Sequence, residues 1–430
     1  MDTEVPAAVD AAAAAGAAVA GVETRRRTGS AGRASHAPLG AVDARPRART
    51  RPLNVLTVVG TRPEVIKMAP VVRELQRHGG DFESTIATSG QHREMLDQAL
   101  AAFSLSPKVD LALMQPNQGV AEFLCRSLSA MTVLLRDVRP DVVLIQGDTT
   151  TVLTTAMAAF QQGVKVAHVE AGLRSFNRLD PYPEEMNRRL VAALADLHFA
   201  PTQRARQNLL HEGVPDHRIF VTGNTIVDAL RATPHAGPFE NAELHGALDG
   251  ADGAGGDGDG GARTLLVTAH RRENHGPRLY AICGALRTLV RRFRDVRVIF
   301  PVHLNPNVDR VVRRELGGVP RVHLVEPVSY GDLLRLMRRC FLILSDSGGI
   351  QEEAPSMHKP VLILREVTER PEVVECGAGK LVGTSEERIV AEVTRLLVDE
   401  DEYAAMSSAG NPFGDGRAAE RIVEALLREL

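Results

Sequence analysis

Residues 164–189 read VKVAHVEAGLRSFNRLDPYPEEMNRR, and residues 142–151 before them read VVLIQGDTTT. Each opens with a short apolar, β-branched run. The spacing suits a helix that carries the chain from one strand to a parallel neighbour. On this reading Asp148, Glu170 and Glu184 fall at the ends of successive elements. A sheet needs no carboxylates there, whereas an enzyme that moves protons or faces a positively charged transition state does.

The alternation extends in both directions. Strands are expected at 53–59, 84–88, 142–146, 164–169 and 197–200, and helices at 63–75, 93–102, 120–138, 152–162, 184–196 and 203–212. Residues 237–261, with nine glycines and four aspartates, interrupt the pattern. Beyond them strands are expected at 264–268, 297–300, 321–325, 341–344 and 361–364. The matching helices are 278–294, 308–316, 330–339, 350–356, 389–397 and 417–430. Such alternation predicts the α/β class, with parallel sheets covered on both faces. Two domains are expected, 53–235 and 264–400, joined by a linker or loop at 236–263. Pro70 is expected to kink or shorten the first helix, and the ligand cleft should face the carboxyl ends of the strands.

Composition sets bounds on function. The 430 residues are 44% hydrophobic and 24% charged, with a net charge of −3, so no global field attracts nucleic acid or a membrane. Cys125, Cys283, Cys340 and Cys376 form no CxxC pair and read as reduced core thiols of a cytoplasmic protein. No apolar run reaches the ~18–20 residues needed to cross a bilayer. Residues 1–20 hold ten alanines, and residues 24–52 hold eight arginines against one acid, Asp43. The tail 1–52 is therefore expected to be disordered.

Several segments carry candidate chemistry. Gly60–Glu64 joins the first strand to its helix; Gly60 reads as a tight turn, and Arg62 and Lys67 suit a phosphate. The plainer alternative pairs Glu64 with Lys67 on the helix surface. Asp346–Glu353 follows an apolar strand. Ser347 there reads as a helix cap, while Gly348 and Gly349 would let backbone N–H groups approach a ligand, and Glu353 could accept hydrogen bonds from a ribose. The alternative is an ordinary capped helix, although paired glycines cost helix stability. His270, Arg271 and Arg272 follow one strand, and Arg365 and Arg370 follow another, each group a potential anion locus. No GxGxxG joins an expected strand to a helix, no HExxH occurs, and Gly377–Lys380 lacks the Ser or Thr of a phosphate-binding loop, so no dinucleotide cofactor and no metal are expected. Asp148–Thr151 also fits a simple capping turn.

Taken together, GTRPEVIKMAP (60–70), GQHREMLDQ (90–98), HVEAGLR (168–174), PEEMNRR (183–189), TGNTIVDAL (222–230), HRREN (270–274), PVHLNPNV (301–308), DSGGIQEEAPS (346–356) and TERPE (368–372) closely resemble the non-hydrolysing bacterial UDP-N-acetylglucosamine 2-epimerases. The resemblance implies a glycosyltransferase-B fold of two Rossmann-like domains, with helices in 401–430 crossing back to the first domain. It places Arg62 and His270 on the diphosphate, Ser347, Gly348 and Gly349 on phosphate, Glu353 on the ribose and Arg370 beside the nucleotide. Lys67, Asp148, Glu170, Glu184 and His270 match the catalytic and sugar-site positions. Gln91 and His92 match a region linked to a second, regulatory UDP-sugar. A homodimer is also implied. Val328 and Leu333 depart from the glutamine and phenylalanine common near the uracil.

The expected reaction converts UDP-N-acetylglucosamine to UDP-N-acetylmannosamine for envelope polysaccharide synthesis. Departure of UDP makes the hydrogen on carbon 2 acidic, and its removal gives 2-acetamidoglucal. Asp148 is the favoured base, with Glu170 and Glu184 as alternatives. Rival readings are a glycosyltransferase on the same fold, an epimerase of another UDP-2-acetamido sugar, and a catalytically silent nucleotide-sugar sensor.

Overall fold

Strands of Val, Ile and Leu have two apolar faces to cover, and amphipathic helices cover them here in two separate parallel sheets. The computed structural model describes residues 51–90, 93–115, 118–233, 237–249 and 262–430. One sheet comprises β1 (Leu53–Val59), β2 (Phe82–Thr88), β3 (Val109–Asp110), β4 (Val142–Gln146), β5 (Lys165–Val169), β6 (Leu197–Ala200) and β7 (Ile219–Val221). The other comprises β8 (Arg263–Thr268), β9 (Val296–Pro301), β10 (Val322–Val325), β11 (Leu342–Ser345), β12 (Val361–Ile363) and β13 (Gly379–Leu381).

Spatial order fixes where a ligand can sit. The first sheet runs β3-β2-β1-β4-β5-β6-β7 and the second β10-β9-β8-β11-β12-β13, with every pair parallel. Both orders reverse at one point, between β1 and β4 and between β8 and β11. Loops diverge there and leave a crevice at the carboxyl ends of the strands. Gly60–Arg62 leave β1 and Asp148 follows β4; His270 leaves β8 and Ser347 follows β11.

Most expected elements occur within a few residues of their predicted bounds, and the exceptions have physical reasons. Pro70 does not break its helix, which runs unbroken from Arg62 to Arg77. Val65, Met68, Val71, Val72 and Leu75 are all buried on it, so packing holds both halves despite the missing N–H. Gly60 is not a left-handed turn residue. A Cβ there would lie 2.4 Å from Ser89 Oγ and 2.7 Å from Thr151 Oγ1, so glycine is required for space. The segment expected as a linker is partly structured, because Ala242–Asp249 forms a helix. Phe239, Leu244 and Ala247 are buried, and the Asp332 carboxylate accepts hydrogen bonds from the N–H groups of Glu240 and Asn241. Residues 250–261 and the tail 1–50 lie outside the described residues.

The cysteines are free, but only Cys283 and Cys340 are core thiols; Cys125 is exposed and Cys376 half-buried. Among the described residues no helix is long and apolar enough to cross a membrane.

The closing helices divide their contacts. Glu400–Ser408 stays with the second sheet, where Tyr403 stacks on Phe341 and donates its hydroxyl to the Phe341 carbonyl at 2.7 Å. Only Ala418–Glu429 docks on the helices of the first sheet. Its unpaired amino end is capped from the other element, since Asp228 accepts from the N–H of Ala419 at 2.9 Å and of Ala418 at 3.2 Å. Asp228→Ala removes both acceptors and should cost about 1–3 kcal/mol. Urea unfolding should show the lower midpoint, and an unchanged midpoint would mean that the cap is not needed to hold this helix.

Candidate active site

Glu64 and Lys67 do not pair with each other. Glu64 turns back over the β1 loop, where it accepts from the N–H of Gly60 at 2.5 Å, the N–H of Thr61 at 2.9 Å and the Thr149 hydroxyl at 2.6 Å. Burial pushes its carboxyl up to about 7 against these donors. It thus ties the loop after β1 to the loop after β4, which carries Asp148.

Lys67 points from the same helix into the interior. Its ammonium bonds Glu170 at the end of β5 and lies 2.7 Å from Glu352 of the second domain. All three side chains are buried. Burial alone would lower Lys67, but Glu170 and Glu352 outweigh it and hold the ammonium above its usual range. The two carboxylates differ. Burial raises Glu170, whereas Glu352, although more fully buried, is pulled down by Arg370 and Lys67. Arg370 Nε reaches Glu352 at 2.5 Å, while its NH2 stands 3.6 Å from Glu170. Glu170 is thus the member of the pair more ready to carry a proton.

Asp148 sits at the start of the helix Thr150–Gln161, one residue before its cap Thr149. Arg188 donates to Asp148 Oδ2 at 2.5 Å, and the Asn187 amide donates to the Asp148 carbonyl at 2.8 Å. Both residues come from the helix that Glu184 opens. Glu184 is raised, first by burial and then by the Asp148 charge. Asp148 is thus tied to the helix that Glu184 opens, while Glu170, at the other end of the same connection after β5, is held by Lys67.

Across the cleft, Asp346 organises the second switch point. Its Oδ2 accepts from the N–H groups of His270 and Arg271, each at 2.9 Å, and from the Asn274 amide at 3.0 Å. Its Oδ1 lies 3.4 Å from His270 Nδ1, and the His270 ring stacks on His303. Ser347 stands at the cap position but its hydroxyl makes no cap bond; the Ser345 hydroxyl instead accepts from the Ser347 N–H at 2.9 Å. The expected side-chain cap is thus absent. Gly348 is needed for a different close approach, because a Cβ there would lie 2.6 Å from an Arg370 nitrogen. Gly349 faces open space except for Ser347 Oγ at 3.8 Å.

Glu353 accepts the Tyr330 hydroxyl at 2.9 Å, and burial pushes it up to about 7. Burial lowers Arg62, with Glu353 and Tyr330 opposing that effect. Arg62 differs from Lys67, Arg188, Arg365 and Arg370. Its one hydrogen bond within the described residues runs to the Val328 carbonyl at 3.3 Å. A partly buried guanidinium with no bonded carboxylate can take an anion. Arg365 and Arg370 were expected as further anion loci, but both are already engaged. Arg365 holds Glu273 and Glu369 at 2.7 Å each, and Arg370 holds Glu352 and Glu369 at 2.5 Å each. Gln91 and His92 lie outside the described residues.

Reasoning from sequence did not single out Arg188, Glu352, Glu369, Asp346 or Tyr330. Glu352 and Glu369 carried one faint signal, since each lies beside another acid or a base in a segment bounded by apolar strands.

Two Rossmann-like domains whose switch points face one another through this polar interior define the glycosyltransferase-B architecture. Residues 73–427 match the family described as UDP-N-acetylglucosamine 2-epimerase. The UDP-N-acetylglucosamine 2-epimerase of Escherichia coli K12 is 51% identical over 377 residues, covering 87% of this chain and 98% of that one. The Bacillus subtilis protein of the same description is 48% identical over 375 residues, covering 87% and 95%. A solved structure of UDP-GlcNAc 2-epimerase from Neisseria meningitidis bound to UDP-GlcNAc superposes with a TM-score of 0.80 at 42% identity, covering 88% of this chain and all of that one. The chain belongs to the UDP-N-acetylglucosamine 2-epimerase family.

Two measurements probe this interior. Lys67→Met leaves Glu170 and Glu352 buried without their shared ammonium and should cost about 3–5 kcal/mol in denaturant unfolding; a loss under 1 kcal/mol would show that the pair is hydrated or neutral. For Glu353, the folded value near 7 lies above the ordinary 4.5. Its protonated form therefore stabilises the fold fully below the ordinary value, and that contribution is lost as pH rises through about 7. Glu353→Gln should flatten the fall in stability over this window, and an unaltered pH dependence would place its titration elsewhere.

Proposed function

We propose that the chain interconverts UDP-N-acetylglucosamine and UDP-N-acetylmannosamine, with diphosphate held by Arg62 and His270 and the hexose held against Asp148, Glu170 and Glu184. The observation that supports this arrangement is the division of charge in the interior. Among the described residues Arg62 has no bonded acid, while Lys67 and Arg370 are neutralised by carboxylates of their own. A site built this way attracts a diphosphate to one end and leaves acids at the other.

The chemistry follows from that polarity. The bond from sugar carbon 1 to the diphosphate oxygen breaks, and its electron pair leaves with UDP. Arg62, His270, the Ser347 hydroxyl and the N–H groups of Gly348 and Gly349 stabilise the departing charge. The sugar becomes an oxocarbenium ion, which acidifies the hydrogen on carbon 2. Asp148 removes that proton, and the C–H electron pair forms the double bond of 2-acetamidoglucal. Return requires a proton delivered to the opposite face of carbon 2 as UDP adds back to carbon 1. Glu170 and Glu184, both raised by burial, suit that delivery. Glu353 fits the ribose hydroxyls, with Tyr330 fixing its carboxyl. A covered cleft keeps water from the intermediate.

In heavy water, UDP-N-acetylglucosamine incubated with the protein should gain deuterium at carbon 2 as the manno epimer appears. Asp148→Asn should slow that exchange by roughly a hundredfold or more while UDP still binds. Transfer of the sugar to an acceptor without exchange would instead identify a glycosyltransferase, and unimpaired exchange in Asp148→Asn would move the base to Glu170 or Glu184.

A further inference from the structure

Glu369 is buried at the meeting of four arginines. Its Oε2 accepts from Arg365 NH1 at 2.7 Å, and its Oε1 accepts from Arg370 NH1 at 2.5 Å. The same Oε1 lies 3.5 Å from Arg271 NH2 and 3.7 Å from Arg188 NH2. Three of these cations belong to the second domain. Arg188 belongs to the first, and the nitrogen that faces Glu369 is the one that donates to Asp148 at 2.5 Å. One nitrogen is thus shared between the candidate base and a carboxylate supplied by the other domain. We propose that Glu369 is a positioning residue that sets the basicity of Asp148 through Arg188, so that the base reaches working strength only when the two domains are together.

Asp148 and Glu369 compete for one charge. A guanidinium that serves Asp148 alone would favour its carboxylate strongly and make it a poor proton acceptor. Glu185 of the same helix faces the other Arg188 nitrogen at 3.5 Å, and Glu369 draws on the nitrogen that serves Asp148. Burial opposes its ionisation, but Arg370, Arg271, Arg365 and Arg188 outweigh it and hold Glu369 well below the ordinary carboxylate range, so its charge is permanent at working pH. Other groups facing Asp148 are Glu184 from its own helix start, Glu64 from the first helix and neutral His168 from β5. None of these is supplied by the second domain. The neighbouring arm has the same form, because Lys67 is shared between Glu170 of the first domain and Glu352 of the second. Arg370 ties the arms together by bonding both Glu352 and Glu369. With the second domain displaced, Arg188 would clamp Asp148 and Lys67 would clamp Glu170, and neither acid would be ready to move a proton.

This inference rests on Asp148 as the base, and the test separates the two claims. Glu369→Gln keeps the shape but leaves the shared Arg188 nitrogen to Asp148, with Glu185 still on the other nitrogen at 3.5 Å. Its kcat for epimerisation should fall by about tenfold or more, with KM for UDP-N-acetylglucosamine within about threefold, as expected for a loss confined to the chemical step. The acid limb of its pH–kcat profile should move to lower pH, because a more tightly held carboxylate stays ionised further into acid. Glu369→Asp keeps the charge but draws it back from Arg188, so its acid limb should lie between those of Glu369→Gln and the unmodified protein; it carries the test if the Gln variant does not fold. An acid limb that stays in place, whatever the loss of rate, would overturn the inference and leave Glu369 a structural residue. Full carbon-2 exchange in Asp148→Asn would instead overturn the assignment of the base.

Discussion

The Lys67 ammonium lies between a carboxylate of one domain, Glu170, and a carboxylate of the other, Glu352. Burying any one of these charges alone costs several kcal/mol, and burying two acids side by side costs more. The arrangement persists only because each ion is supplied with counter-charge from across the domain boundary. Arg370 extends it to Glu369, and Arg188 extends it to Asp148. The result is a continuous alternation of acid and base through the space where the two switch points face each other. Hydrophobic side chains of the same volume could hold two domains together at least as well. What they could not provide is a set of carboxylates whose proton affinities differ by environment.

That difference follows from geometry. Glu352 and Glu369 each touch an arginine at close range and are held low, while Glu170, Glu184, Glu64 and Glu353 are raised by burial. Groups separated in this way can divide acid and base work within a few ångströms. The anion end of the crevice is built by other means. Asp346 fixes the His270–Asn274 turn through three hydrogen bonds, and Arg62 has no bonded acid among the described residues. Leaving-group stabilisation and proton transfer therefore draw on distinct residues, both anchored on loops at strand ends.

The strands and most helices could be read from periodicity because a doubly covered parallel sheet leaves so plain a pattern of apolar runs. The sequence pattern drew attention to Asp148, Glu170 and Glu184 because acids beside apolar strands or at a helix start stand out, and the structure places them in one polar interior with Arg188 and Lys67 as partners of two of them. Arg188, Glu352 and Glu369 were not legible. Each sits in a stretch rich in charge, and a buried ion looks like a solvated one until its partner, far along the chain, is known. Arg365 and Arg370 misled in the opposite sense: basic residues at strand ends suggested phosphate, but the acids that neutralise them are Glu273, Glu352 and Glu369. The Ala242–Asp249 helix escaped notice because glycines after it dominate the composition, while its own anchors are Asp332 and Arg297, some fifty to ninety residues away. Pro70 shows the same dependence on context, since a break expected from local rules is suppressed by buried neighbours on either side.

The central claim is that charges from the two domains act on each other, and a double-mutant cycle reads that coupling directly. Arg188→Met, Glu369→Gln and the double variant would be compared in kcat for epimerisation. The account predicts effects that fail to add by at least about 1.5 kcal/mol, because each single change disturbs the same shared guanidinium. Effects that add to within about 0.3 kcal/mol would contradict it, since Arg188 and Glu369 would then serve the reaction independently.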